Sequence, residues 1–227
     1  MLKRYERNMT ALSAEENERL KHCKVCVIGC GGLGGYVIEH LGRIGVGHIT
    51  AVDGDVFEES NLNRQLLSDE SVLGKSKAET AKNRMKNVNS TINVRAGNEY
   101  LTKDNSEEIL KGHDIVIDAL DNITTRLIIE EEAQKLKIPL VHGAIAGWYG
   151  QVSVILPGSP MYGKIYPEGA AKGVETRLGN LPFTAAVTAS VQAAEAVKVL
   201  LGRSEVLAGK LLTIDLLSQD YETFEIR

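Results

Sequence analysis

The chain has 227 residues, 43% of them hydrophobic and 25% charged, with a formal net charge of −4. That length and composition suit one packed globular domain rather than a disordered segment, and the acidic balance argues against broad, charge-driven nucleic-acid binding. The opening stretch MLKRYERNMTALSAEENERL is charged throughout and no run of about 18 uninterrupted apolar residues follows it, so neither a signal peptide nor a membrane span is expected.

In chain order, Ser13-Ala14-Glu15-Glu16 has the capping-box pattern and predicts a short helix from about Ala14 to His22, with the arm Leu2 to Ala11 free to reach elsewhere. KVCVIG (24–29) and HITAVD (48–53) read as buried parallel strands, and LGGYVIEHLGRIGV between them carries apolar residues at helical spacing. The turn joining the first strand to that helix reads Gly29-x-Gly31-x-x-Gly34, the strand-turn-helix context of a phosphate-cradling loop. Glycine spacing alone does not decide between NAD and ATP. A polar stretch (55–74) leads into a helix-forming run (75–88), then TINVRA (91–96) and DIVIDAL (114–120) as strands. Helices are expected over Ser106 to Lys111 and 125–136, and PLVHGA (139–144) makes a fifth strand.

This alternation predicts an α/β fold, a Rossmann-like, mainly parallel sheet with helices on both faces. The last third changes pattern. YGQVSVILPG (149–158) and the final KLLTIDLLSQDYETFEIR alternate like antiparallel strands, the latter a hairpin about Ser218 to Asp220, with a helix from about Thr184 to Leu201 between. The loop 157–182 holds four of the five prolines and five glycines. A connection of that length is expected to be a lid or a crossover over a site. The whole of 1–227 reads as one domain with an N-terminal arm and helix (1–22). All three cysteines lie within residues 23 to 30, too close for a disulfide framework, so a reducing cytoplasm is the expected location.

A hydride-transferring enzyme needs a substrate domain after the nucleotide fold, and hardly any chain remains for one. What the chain offers instead is a cationic and carboxamide-rich set: Asn61, Asn63, Arg64, Gln65, Lys75 and Lys77, with Asp121-Asn122 ending the fourth strand. Arginine and lysine suit the spread charge of a triphosphate, and a carboxylate at a strand's C-terminal end suits Mg²⁺. This equipment points to nucleotidyl transfer.

The ordered set Gly29-x-Gly31-Gly32-Leu33-Gly34, Asp53-x-Asp55, Ser60-Asn61-Leu62-Asn63-Arg64-Gln65, Lys77 and Asp121-Asn122 resembles the ThiF/MoeB/HesA family, relatives of ubiquitin-activating enzymes, over essentially the whole chain. The resemblance implies an ATP-dependent adenylyltransferase that activates the C-terminal Gly-Gly carboxylate of a ubiquitin-like sulfur-carrier protein, in a thiamine or molybdopterin type pathway. Its cofactors would be ATP and Mg²⁺. Carried over by position, it gives Asp53 the ribose hydroxyls, places Asp55 and Asn122 in the nucleotide site, and brings Gly29, Gly31 and Gly32 close to the nucleotide. Arg64 and Lys77 would contact the phosphates, Asn61 and Gln65 would line the pocket, and Asp121 would bind the metal. Arg7, on the N-terminal arm, would reach the site of the partner subunit in a homodimer.

The chain departs from the family pattern in two places. Many relatives carry two CxxC pairs that hold a structural zinc; here Met161-Tyr162-Gly163-Lys164 stands at the first and the final hairpin has no cysteine, so no zinc is expected. Cys23-x-x-Cys26 is no substitute, since period-two alternation sends the two thiols to opposite faces of the strand. The crossover loop has Glu175, Thr176 and Arg177 where some relatives carry a cysteine for a covalent link to the carrier. His142 reads as structural, because an ionised carboxylate needs no base, while Trp148 and Tyr149 read equally as groove border or core. Two other functions stay open: adenylation of a tRNA-borne or small-molecule carboxylate, and a non-catalytic nucleotide-binding regulator.

Overall fold

A computed structural model describes residues 3–226 except 168, 170–172 and 174, with Glu175 and Thr176 described by their backbone only. Among these residues, eight strands form one sheet: β1 (Lys24–Ile28), β2 (His48–Val52), β3 (Asn93–Gly97), β4 (Ile115–Asp118), β5 (Leu140–Ala146), β6 (Tyr149–Ile155), β7 (Lys210–Asp215) and β8 (Asp220–Glu225). Their order is β3-β2-β1-β4-β5-β6-β7-β8. The first five are parallel, Val25 sitting opposite Ile49 on one side and Ile115 on the other; the rest add antiparallel. The expected mixed sheet is therefore present, and its polarity changes where the chain turns back from β5 into β6.

Among the described residues, eight α-helices accompany it: α1 (Ala14–Leu20), α2 (Gly32–Ile44), α3 (Lys77–Val88), α4 (Ser106–Leu110), α5 (Ile123–Leu136), α6 (Tyr162–Ile165), α7 (Glu175–Leu178) and α8 (Pro182–Leu201). The crossover loop thus contains two single-turn helices rather than irregular chain throughout. Period two along β1 divides the core, because successive side chains face opposite sides of a sheet. Val25 and Val27 pack with α2, α3 and α8 on one face, while Cys26 and Ile28 pack with α4, α5 and α6 on the other. Cys23 joins the first cluster and Cys26 the second, as alternation requires. Burial pushes the Cys26 and Cys30 thiols well above the usual range.

By length and apolar composition α8 could cross a membrane, which the uninterrupted-run test on the sequence did not register. Its placement is that of a core helix: Thr184, Thr188, Gln192 and Glu195 are all buried, and Gln192 Nε2 donates to the carbonyls of Asp118 and Val141.

The arm preceding α1 is not free, contrary to the sequence expectation. Lys3–Asn8 forms a 3-10 helix whose Tyr5 is buried. The Tyr5 hydroxyl accepts from Asn89 Nδ2 at 2.7 Å, and Asn8 Nδ2 donates to Asn17 Oδ1 and to the Ile44 carbonyl. An aromatic side chain with a polar tip gains both burial and a hydrogen bond here, and no local sequence signal announces a partner some 80 residues away. Leu2 lies outside the described residues.

Candidate nucleotide-binding site

The site lies where parallel strands end and helices begin, at the C-terminal edge of β1, β2, β3 and β4, the position that open α/β sheets use for ligands. Two glycines make the turn after β1 possible. Gly29 has φ of +96°, a conformation side-chain-bearing residues rarely adopt, and a Cβ on it would stand 2.6 Å from the Ala119 carbonyl. Gly34 lies so close beneath the turn that a Cβ would stand 1.8 Å from the Gly29 carbonyl. Gly31 then caps α2 with no side-chain hydrogen bond. The first-turn N–H groups of α2 therefore remain open to an anion.

The cleft above this turn is lined by Gly29, Gly31, Gly32, Asp53, Asp55, Arg64, Gln65, Lys77, Asp121 and Asn122. Of the residues that the resemblance assigns to the site, all but Asn61 and Arg7 line it, while Asn63 and Lys75 of the cationic and carboxamide set do not. Asn61 is buried and turned away, its Oδ1 accepting from the Glu58 N–H to close the 3-10 helix Glu59–Asn61. Arg7 is exposed, makes no ion pair among the described residues, and does not line the cleft of its own chain.

Within the cleft, Asp53 accepts from Cys30 N at 2.7 Å and Asp55 N at 2.8 Å, and burial raises its pKa despite both bonds. Lys77, largely buried, reaches Asp55 at 3.3 Å. Burial pushes the Asp55 carboxyl up, but the Tyr100 hydroxyl and the Lys77 ammonium outweigh it and hold the group below the usual range. Arg64 Nη1 donates to the Ser60 carbonyl and to Asn63 Oδ1, both at 3.0 Å, fixing its guanidinium beside the turn. Gln65 is 6% exposed and its Oε1 has no partner among the described residues. Buried polar atoms normally find one, so this oxygen at the cleft wall is an exception.

Asp121 is exposed at the cleft, just before Asn122, whose Oδ1 caps α5 by accepting from Thr125 N at 2.8 Å. No group of three or more His, Cys, Asp or Glu side chains able to hold a metal occurs among the described residues. An accessible carboxylate beside a phosphate-binding turn does fit Mg²⁺, which takes one or two carboxylates and fills its shell with phosphate oxygens and water.

A second cavity of about 700 Å³ adjoins the first; Arg126, Ala144 and Ile145 line both. Its walls are β5, β6, the hairpin β7–β8 and the described part of the crossover loop, with Tyr149 among the lining residues. Trp148 instead packs on Phe183, ring centroids 4.8 Å apart.

Between the cavities lies a buried polar network. Arg126 Nε meets Asp118 at 3.1 Å, its other nitrogens donate to the Leu120 and Gly143 carbonyls and the Tyr166 hydroxyl, and its pKa is raised by Asp118 against the opposing effect of burial. Asp118 Oδ2 accepts from Tyr162 Oη at 2.6 Å and pairs with His142 Nδ1 at 2.8 Å. Burial raises the Asp118 pKa, yet Arg126 and His142 reverse the shift. Burial lowers that of His142, which is fully enclosed and placed as a structural histidine.

Sequence reading missed Arg126, Tyr100 and Asn180, which also lines the nucleotide cleft. Arg126 did carry a signal: a cation in the first turn of a helix opposes the helix dipole and implies a compensating role. Tyr100 follows the C-terminal end of β3, where ligand residues gather. The segment Met161–Lys164 starts α6, tied down by Met161 N and Tyr162 N donating to Glu130 Oε1 at 2.5 and 2.9 Å.

Fold and site together define an α/β nucleotide-binding protein with a groove running away from the phosphate turn. The chain belongs to the ThiF family, whose sequence profile matches residues 5–227. It is 37% identical to the SAMP-activating enzyme E1 of Haloferax volcanii over 100% of this chain and 86% of that one. It is 39% identical to the sulfur carrier protein adenylyltransferase of Thermus thermophilus, over 100% of this chain and 88% of that one. E. coli MccB in its crystal structure with ATP superposes with a TM-score of 0.87 over 100% of this chain and 71% of that one; at 22% identity the likeness is one of fold.

Proposed function

We propose that this protein is an ATP-dependent adenylyltransferase that activates the C-terminal Gly-Gly carboxylate of a ubiquitin-like sulfur-carrier protein. The observation that carries the reading is the continuity of the two cavities. A cleft equipped for a triphosphate adjoins a second cavity of about 700 Å³, and Arg126, Ala144 and Ile145 line both. The names of the Haloferax and Thermus relatives support the same substrate class.

In the reaction, the ionised carboxylate attacks the α-phosphorus, the bond to the β-phosphate breaks, and pyrophosphate leaves. No base is required at neutral pH. Asp53 orients the ribose, the open N–H groups of α2 meet the phosphates, and Arg64 and Lys77 offset charge that builds on the departing pyrophosphate. Lys77 exchanges its contact with Asp55 for one with phosphate. Mg²⁺, held by Asp121, would neutralise phosphate charge and draw electrons from the leaving group. Arg7 completes the site in trans in a homodimer, delivering a guanidinium from the partner's arm.

The cytoplasm is the expected setting, and no structural zinc takes part. No cysteine occurs in 157–182, so the crossover loop offers no thiol for a covalent link to the carrier, and a sulfur step either rests elsewhere or does not occur. The test is ATP–pyrophosphate exchange with Gly-Gly-ending ubiquitin-like carriers from the source genome, set against tRNA and free carboxylic acids. Exchange dependent on one carrier supports the proposal; exchange driven by tRNA or free acids replaces the substrate, and none at all favours a regulator.

A further inference from the structure

The phosphate turn, Asp53 and Lys77 account for the nucleotide end of the cleft, and among the lining residues outside the turn and the cationic set is Asn180. Asn180 lies at the end of the crossover, two residues before α8 begins. Its Oδ1 is buried without a hydrogen-bond partner among the described residues. Its backbone is well fixed: Asn180 forms a parallel bridge with Gly147, and its carbonyl accepts from Asn63 Nδ2 at 3.2 Å. Asn180 thus has a fixed backbone at the cleft wall and a carboxamide oxygen that bonds no described group, a polar atom left for a ligand that turns it toward the cleft.

Strand order says which ligand. The nucleoside end is set by Asp53, just after β2, and by Glu99 to Leu101, after β3. The sheet then runs from β1 through β4 to β5, and Asn180 is bridged to the chain leaving β5, on the side where the cleft joins the peptide groove. A nucleotide bound over β2 and β1 has its reacting α-phosphate toward this side, and the acyl group to be activated must enter from it.

We infer that the Asn180 carboxamide recognises the terminal glycine residue of the acyl substrate, accepting its amide N–H at Oδ1 and donating from Nδ2 to its carboxyl oxygen. This deepens the adenylation proposed above and rests on it. Asn180 thereby selects an acylated, peptide-borne glycine over a free amino acid, whose ammonium group lacks the amide geometry. A site that hydrogen-bonds a substrate group rejects analogues lacking it, because its own polar atoms are then left unpaired.

The test uses two non-reactive probes measured by calorimetry on the full chain: 5′-O-sulfamoyladenosine, and the same compound N-acylated with acetylglycylglycine. Wild type should bind the acylated probe more tightly than the bare one; that gain tests the peptide-carboxylate reading of the cleft, and its absence overturns both readings. With the gain present, Asn180→Ala and Asn180→Asp should keep their affinity for the bare probe within twofold. Asn180→Ala should lose about 10- to 100-fold on the acylated one, the range expected for two hydrogen bonds, and Asn180→Asp, which keeps an acceptor but loses the donor, about 10-fold. Equal losses on both probes would make Asn180 a nucleotide ligand and overturn the inference, as would no loss on either. Folding does not confound the measurement. Removing a buried acceptor that lacks a partner leaves stability unchanged or improved, so Asn180→Ala should melt at or above the wild-type temperature.

Discussion

Replacing Arg126 with methionine keeps a long side chain in the space between the two cavities and removes the cation that Asp118 faces. Asp118 is fully buried and its partner lies 3.1 Å away, a separation worth about 5 kcal/mol at an effective dielectric of about 20. Leaving a buried carboxylate unpaired typically costs about 3–5 kcal/mol, so Arg126→Met should lose about that much at pH 8 in urea unfolding followed by circular dichroism. The deficit should depend on pH with a fixed sign. In wild type the Asp118 pKa is depressed, so its contribution is complete above the unfolded value and fades only as pH falls through the lower folded one. Without Arg126 the pKa values of Asp118 and His142 both rise, since its charge lowers each of them. The folded variant then binds more protons than folded wild type, and its deficit shrinks as pH falls from 8 toward 5. In a cycle with Asp118→Asn, the double variant should lose less than the sum of the single losses. A loss below about 1 kcal/mol at pH 8, or a deficit that grows in acid, would refute this account of the network.

Three further outcomes are expected. Gly34→Ala places a Cβ 1.8 Å from the Gly29 carbonyl and should cost more than about 3 kcal/mol, whereas Gly74→Ala, strained at φ +76° but in open space, should cost about 1 kcal/mol; equal losses would mean that the turn is not close-packed. Asp121→Ala should leave the melting temperature within about 2 °C, because Asp121 is exposed, while carrier-dependent exchange falls at least about 100-fold. Arg7→Ala and Asp121→Ala proteins, each inactive alone, should regain part of the activity when mixed and re-equilibrated, since a mixed dimer holds one site with both residues intact; no recovery despite proven subunit exchange would exclude Arg7 from acting in trans.

The β1–α2 unit was legible in the sequence because three kinds of information coincide there: apolar periodicity, glycines at positions only glycine tolerates, and an acid one strand away. Lys77 was legible as a cation at a helix start just past Ser76, which caps α3. Asn61 shows the limit of motif reading. An amide in a polar loop can face a ligand or close its own turn, and only the three-dimensional path of 58–61 decides for the turn. The network of Asp118, Arg126, His142, Tyr162 and Tyr166 is assembled from three strands' worth of separation along the chain, and no periodicity encodes which buried polar groups will meet. Tyr5 escaped for the same reason, since its burial depends on α2 and on the turn after α3.

Successive turns in the first half of helix α5 carry different attachments. Its N-terminal turn carries Asn122 and Arg126 at the nucleotide cleft, and one turn further on Glu130 grips the amides of Met161 and Tyr162, where the crossover begins. Four residues of helix span about 6 Å and transmit displacement with little give. A shift of the Arg126 guanidinium on loading the cleft is therefore felt at the root of the crossover, and a pull on the crossover is felt at the guanidinium. Cleft and groove are joined mechanically as well as spatially, by a short strut fastened through the Glu130 carboxylate.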